Sequence, residues 1–249
     1  MVECCWIQRG DFAGAPSPAV RVLPDGCMDI LFTLGAFSHP FGGEVHPHRA
    51  FVVGTMSRSQ LFDFQGWVEH VAIRFRPGGA RPFLQVPAVE LLDTGAPLEA
   101  LWGFAGADLP GRLDDIGGDE ARARFLFREL ETRRAKANPP DALVLRASEL
   151  IHRSRAGMTV ETLSRELRVS ARTLERRFRR EVGLSPKRVA GIARFRTAVT
   201  KLEENPWAPV GRVAMACGYY DQAHFTREFR ALAGVTPGEW RGMAAAASP

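Results

Sequence analysis

Apolar residues recur with two different periods along this chain. As far as about residue 87 they fall in short runs rich in Val, Ile, Phe and Trp, at 3–8, 20–23, 27–34, 50–56, 60–64 and 68–75. Gly, Pro and Asp separate these runs, which is the pattern of short strands. Pro24-Asp25-Gly26 is a turn with a mechanism, since proline presets one position and glycine supplies positive φ at another. Beyond residue 80 the period lengthens to three or four. It predicts helices over 80–84, 98–104 and 119–136, the last with Ala123, Phe127 and Leu130 on one stripe. Asn138-Pro139-Pro140 then breaks the chain. Asp141 caps a helix bearing Leu143, Val144, Ala147, Leu150 and Ile151, and Thr236 to Glu239 has the spacing of a capping box that starts a last helix through Trp240. The expected organisation is a β domain with a helical extension over 1–137, a linker at 138–140, an all-helical domain over 141–242 and a disordered tail over 243–249.

Within the helical half one unit is written twice. SARTLERRFRREVGLSP, from Ser170, and DQAHFTREFRALAGVTP, from Asp221, align at a shift of 51 residues. Leu174 then falls on Phe225, Arg176 on Arg227, Phe178 on Phe229, Arg179 on Arg230, Gly183 on Gly234 and Pro186 on Pro237. Each copy opens on an N-cap residue, ends at a glycine suited to stop a helix, and restarts at Ser-Pro or Thr-Pro. Leu174 and Phe178, and likewise Phe225, Phe229 and Leu232, face a core, while Arg172, Arg176 and Arg179 project from the opposite side. A short apolar helix precedes each copy, carrying Val160, Leu163 and Leu167 or Val210, Val213 and Cys217. The second turn is one residue longer, and Gly218 supplies the permissive backbone for it. Two helices joined by a tight turn, the second rich in arginine on its outer face, read as a helix-turn-helix with a recognition helix for the DNA major groove.

Between the copies, 186–204 keeps helical spacing at Val189, Ile192, Ala193, Arg196, Val199 and Leu202 until Asn205-Pro206 stops it. Nineteen residues make a strut of roughly 28 Å. That is close to the roughly 34 Å between consecutive major-groove faces of a duplex, so one chain can span two grooves.

These residues resemble the DNA-binding domain of the AraC/XylS family of bacterial transcription regulators. The resemblance covers about 141–241 and is most specific in VGRVAMACGYYDQAHFTREFRALAGVTPGEWR, through Ala-x-x-x-Gly-Tyr, the Asp-Gln before Phe-x-x-x-Phe, and Gly-Val-Thr-Pro. It implies base contacts from Arg172, Glu175 and Arg176 in the first recognition helix and from Gln222, Ala223, Thr226 and Arg227 in the second. Arginine reads guanine in a bidentate fashion, and glutamine reads adenine. Ser170, Arg179, Arg180, His224 and Arg230 are expected at phosphates, where they position without specifying. Glu175 either accepts from a cytosine amino group or ties down Arg172 or Arg179 along the helix, and the tie is favoured.

Charge sharpens this picture. Residues 141–249 carry 19 Lys and Arg against 11 Asp and Glu, and residues 1–140 carry 14 against 17, so the overall +5 hides a basic half joined to a mildly acidic one. An electrostatic footprint confined to one domain has this form. The chain contains no apolar run near 18 residues and no signal-peptide pattern, and its four cysteines suit a reducing compartment, so the expected location is the bacterial cytoplasm, on the nucleoid.

In the first half, PDGCMDILF from Pro24 and IRFRPGGA from Ile73 resemble an uncharacterised domain that often precedes AraC-type domains. The resemblance implies a cupin-like β-barrel or sandwich that binds a small-molecule effector or mediates homodimerisation, with RNA polymerase as a further partner of an activator. Strand alternation places Cys27, Asp29, Leu31 and Thr33 on one face and Met28, Ile30, Phe32 and Leu34 on the other. His70, Ala72 and Arg74 share a face opposite Val71, Ile73 and Phe75. If the more polar faces line an interior, Cys27, Asp29 and Arg74 are effector contacts; otherwise those faces meet solvent and the apolar ones form the core.

His46-Pro47-His48 is the one His-x-His, without the glutamate that a metal-binding cupin motif needs, and no metal or cofactor is expected. An alternative reading uses Cys4, Cys5 and Cys27, as a thiol- or metal-responsive switch or as a DNA alkyl-transfer centre, although the latter requires four clustered cysteines and the first 140 residues hold three. No phosphate loop, nucleophile elbow or paired-carboxylate motif is present, and the chain is not expected to be an enzyme.

Overall fold

A computed structural model describes residues 1–12, 20–34, 49–62, 64, 66–154 and 158–246. The first half holds two antiparallel sheets. Strands β1 (Val2–Phe12), β3 (Met28–Leu34), β4 (Ala50–Val53), β6 (Gly66–Phe75) and β7 (Gly95–Pro97) form one, in the order β1-β6-β3-β4-β7. The other pairs β2 (Val20–Val22) with β5 (Gln60–Phe62). Asp29 lies opposite Arg74 and Ile30 opposite Ile73, so the alternation read from sequence carries across neighbouring strands in register. β7 was not expected, because its three residues, Gly-Ala-Pro, offer no apolar alternation.

The apolar face of the large sheet is covered by α1 (Arg81–Leu84), α2 (Leu98–Trp102), α3 (Phe104–Asp114) and α4 (Asp119–Arg134). Met28, Ile30, Phe32 and Leu34 meet Phe83, Leu98, Leu109, Leu113, Leu126 and Leu130 in one core cluster. Each such side chain, fully buried, contributes about 1.5–3 kcal/mol. Helix α3 escapes a periodicity reading because Gly106 and Pro110 interrupt its pattern. Both fit the packing: Pro110 is buried, and a Cβ on Gly106 would stand 2.7 Å from the Leu98 carbonyl oxygen. On α4 the expected stripe of Ala123, Phe127 and Leu130 holds at Leu130, but Leu126 takes the place expected for Phe127. Phe127 is 40% exposed whereas Leu126 and Leu130 are buried; both Leu126 and Phe127 are within reach of the face of Leu130 by helical spacing, so packing and not period makes the choice.

The opposite face of the sheet is polar but largely covered. Asp29, Thr33 and His70 are buried there. Phe62, Phe64 and Val68 form a small cluster with Phe12, Val20 and Val22 beside them, and the Phe64 ring lies 5.6 Å from that of His70. His46 and His48 lie outside the described residues.

The second half is all helical: α5 (Ala142–Arg153), α6 (Val160–Leu167), α7 (Ala171–Glu181), α8 (Pro186–Glu204), α9 (Val210–Ala216), α10 (Gln222–Ala233) and α11 (Pro237–Ala246). The expected caps are in place, with Asp141 accepting from Leu143 and Val144, Ser170 from Thr173, Ser185 from Arg188 and Asp221 from His224. Glu239 accepts from the Thr236 amide at 2.6 Å, which completes the capping box. The axis of the bundle is α8. Its Val189, Ile192, Phe195, Val199 and Leu202 share one core with Leu174 and Phe178 of α7 and with Phe225 and Phe229 of α10. The expected disordered tail begins too early, because Met243–Ala246 continue α11, where a run of alanines costs the helix nothing in propensity. Among the described residues no helix is long and apolar enough to cross a membrane.

Candidate nucleic-acid interface

Two helices present matched outer edges. On α7, burial of Leu174 and Phe178 turns Arg172, Glu175, Arg176 and Arg179 outward, and all four are exposed. On α10, burial of Phe225, Phe229 and Leu232 does the same for Gln222, Ala223, Arg227 and Arg230, with Thr226 half-buried beside them. The inward positions are apolar in both copies, so the outward direction is fixed by packing. In front of each helix the chain turns through a left-handed residue, Arg168 at φ 55 after α6 and Gly218 at φ 73 after α9. The first turn thus places a non-glycine residue where the second uses glycine.

The arginines of α7 divide by their partners. Among the described residues Arg172, Arg176 and Arg179 form no ion pair with an acidic side chain, and the same holds for Arg227 on α10. Glu239, whose carboxyl is held below the usual range by its hydrogen bonds to Thr236, also feels the charge of Arg230. Arg177 instead turns back to Asp141, donating to its two oxygens at 3.1 Å and 3.1 Å. Arg180, expected at a phosphate, donates from Nε to Glu181 at 2.8 Å and lies 4.0 Å from Asp141. Glu175 makes neither of the favoured ties, to Arg172 or Arg179, among the described residues, and its carboxylate stays on the outer edge. Ser170 is the α7 cap, and its hydroxyl also donates to Thr173 at 2.9 Å.

Around the second helix, the Gln222 side chain lies over α9, where a Cβ on Gly211 would stand 2.9 Å from its Oε1. His224 is half-buried, with its ring 5.7 Å from that of Tyr219 and its Nε2 3.5 Å from Glu228. Glu228 in turn accepts from Arg194 at 2.7 Å, which ties α10 to the strut. Burial raises the Tyr219 phenol to about 12, so that it stays neutral beneath Arg194. Trp207 and Tyr220, 93% and 86% exposed, flank α9 and were not singled out by the sequence patterns, which register apolar residues as core.

In the first half two of the three expected effector residues, Asp29 and Arg74, bind one another, and the third, Cys27, turns to a different partner. Arg74 donates to both Asp29 oxygens at 3.0 Å and pairs with Asp25 at 2.9 Å, while the Trp6 indole donates to Asp29 at 2.9 Å. Cys27 donates to Glu3 at 3.4 Å, and burial together with the carboxylates of Asp25 and Glu3 pushes its thiol well above the usual range. Cys4 is exposed, whereas Cys5 packs against the helix-covered core. A cluster of three thiols is therefore not formed. Among the described residues no group of three or more His, Cys, Asp or Glu side chains is arranged to hold a metal ion.

The class these features define is a helix-turn-helix DNA-binding regulator of transcription. Residues 163–243 match a family described as a helix-turn-helix domain, and this domain is of the AraC type; residues 1–97 match a domain of unknown function, DUF6597. Among solved structures the chain is similar to a probable AraC family transcriptional regulator from Rhodopseudomonas palustris, at 27% identity over 42% of this chain and 98% of that one, with a TM-score of 0.39. It is similar at 27% identity to the DNA-binding domain of AdpA in complex with a target DNA, over 43% of this chain and 95% of that one, TM-score 0.38. ToxT from Vibrio cholerae aligns over 97% of both chains at 12% identity, TM-score 0.46. A search of curated proteins gave no match.

Proposed function

We propose that this chain is a sequence-specific transcription regulator that reads two successive major grooves, through the outer edges of α7 and α10. The observation that carries this reading is the pair of duplicated helices whose outward arginines, Arg172 and Arg176 on one and Arg227 on the other, are exposed and, among the described residues, form no ion pair with an acidic side chain. The 19-residue α8 between them spans roughly 28 Å, comparable to one turn of duplex. Arg172, Glu175, Arg176, Gln222, Ala223, Thr226 and Arg227 meet base edges. Ser170, Arg179, His224 and Arg230 meet phosphates, with Arg180 joining them while shared with Glu181. This work is done in the bacterial cytoplasm by binding alone, without a catalytic step.

The same reading divides the chain at 138–140 and gives its first half a regulatory task, taking a small-molecule effector or a second copy of the chain, with RNA polymerase as the partner of the DNA-bound form. The buried polar face of the large sheet supports an effector. There His70 Nε2 is buried without a hydrogen-bond partner among the described residues, a costly arrangement unless another group, a ligand or a water completes it. Selection of bound fragments from random duplex DNA by the full chain tests the proposal. It predicts recovery of a bipartite sequence with two conserved blocks about one helical turn apart; recovery of no enriched sequence contradicts it.

A further inference from the structure

The duplicated glycines, Gly183 after α7 and Gly234 after α10, share more than a helix stop at positive φ. At each, the first half of the chain packs closely against the end of its reading helix. A Cβ on Gly183 would stand 2.9 Å from the Ala88 carbonyl oxygen, and one on Gly234 2.8 Å from Arg21 Nη1 and 3.3 Å from Ser59 Oγ. Both approaches lead to the C-terminal ends of the reading helices, away from Arg172, Arg176, Gln222 and Arg227.

The contacts at those ends are polar and specific. The last turn of any helix leaves carbonyls without intrahelical donors. At α10 these are filled from the first half of the chain. Ser59 N–H donates to the Leu232 carbonyl at 2.7 Å, and Ser59 Oγ and Arg21 Nη1 both donate to the Ala233 carbonyl at 2.8 Å. A guanidinium here also meets the negative end of the helix dipole. Two residues earlier in the same segment, the Ser57 carbonyl accepts from Arg188 Nη2 at 2.6 Å, in the first turn of α8 just beyond α7. The end of α7 is held as well, since Arg81 pairs at 3.5 Å with the buried Glu181.

The segment is itself braced. Asp93 accepts from the Ser57 amide at 2.7 Å and from its hydroxyl at 2.6 Å, and the Asp93 amide donates to the Thr55 carbonyl at 2.9 Å.

We infer that residues 57–60, with Arg21, are a splint by which the first half of the chain sets the relative placement of the two reading helices. Arg21 and Ser59 are positioning residues for α10. This inference rests on the reading of α7 and α10 as groove readers, and it adds that α8 does not fix their spacing alone. The splint grips the ends that do not read bases, so it supports the reading edges and does not mask them. Loosening it weakens recognition of correctly spaced sites and relaxes the demand for that spacing.

The test uses the full chain and the double variant Arg21→Ala/Ser59→Ala, with two readouts. The first needs no DNA. Amide hydrogen exchange at 232–236 and 187–190 is expected to rise together by about tenfold in the variant while β6 stays protected. Unchanged exchange at both places overturns the inference, and a collapse of protection in β6 as well reduces the contacts to a general fold requirement. The second readout compares a fragment selected by the wild-type chain with the same fragment carrying one extra base pair between its two blocks. The wild type should lose about tenfold in affinity on insertion, and the variant should bind both alike, with Arg21→Lys in the Ser59→Ala background restoring part of the discrimination. Spacing profiles that coincide for wild type and variant contradict the splint. If the wild type selects no DNA, it is the groove-reading proposal that fails, and the exchange experiment still decides whether the ends are coupled.

Discussion

Arg177, in the middle of the most arginine-rich helix of the chain, donates to both carboxylate oxygens of Asp141, the residue that caps α5. Asp141 Oδ1 also accepts from the amides of Leu143 and Val144 at 3.1 and 3.3 Å. One carboxylate thus starts the first helix of the bundle and fastens the first reading helix to it. Asp141→Ala should lower unfolding stability by about 2 kcal/mol, combining a lost cap of about 1 kcal/mol with an arginine left without its partner. Asp141→Asn keeps the cap and should cost about half as much. Chemical denaturation of both variants checks this, and equal losses would show that the ion pair contributes nothing.

Arg227 and Arg230 lie on the same helix and are both exposed, yet different effects are expected on removing them. Arg227→Ala should lower affinity for the selected site by about 1–3 kcal/mol and blur preference at one or two base pairs. Arg230→Ala should weaken all sequences alike and reduce the slope of affinity against salt by about one. Binding titrations at several salt concentrations, on selected and scrambled fragments, separate the two. Identical profiles would remove the division into base and phosphate contacts.

Arg74 is the centre of an ion-pair cluster with Asp25 and Asp29, so its removal is a stability experiment. Arg74→Ala leaves the Asp29 carboxylate, 12% exposed, with the Trp6 indole as its one remaining partner among the described residues. A loss of about 2–4 kcal/mol follows from breaking a pair at this degree of burial. Thermal unfolding should show it, while affinity for DNA measured well below the transition should be unchanged.

Burial lowers the His70 imidazole from its ordinary 6.5 to about 4. The unfolded chain therefore takes up a proton in a range where the folded chain does not. The stability this provides is present above 6.5 and is lost as pH falls toward 4, with a span of about 3 kcal/mol. The unfolding midpoint of the wild type should fall across that interval, and His70→Gln, which keeps a polar partner for Thr33 and cannot titrate, should flatten the fall. A slope that survives in His70→Gln would assign it to other groups.

The parts of this molecule that were legible in its sequence are those whose causes are local. Caps at Asp141, Ser170, Ser185 and Asp221, the apolar seams of α7, α8 and α10, and the turn glycine Gly218 all act within a few residues of themselves, and the duplication displayed most of them twice. The arginine run 176–180 was legible as a charged face but not in its division, because Arg177 takes its partner 36 residues upstream. In the first half, Gly106 and Pro110 hid α3, and β7 was too short to show a period. Nothing in the sequence announced the splint. Ser57 and Ser59 sit in a turn without periodicity, and the residues they meet lie 131 and 174 positions away, a distance over which no pattern of apolar spacing carries information.

The two-groove claim is tested most directly by protection of guanine N7 from methylation on a fragment selected by the full chain. N7 faces the major groove, so protection there reports helices lying in it. The account predicts two protected clusters about one helical turn apart on the same side of the duplex, the first lost in Arg176→Ala and the second in Arg227→Ala. A single cluster, abolished by either substitution, would contradict it.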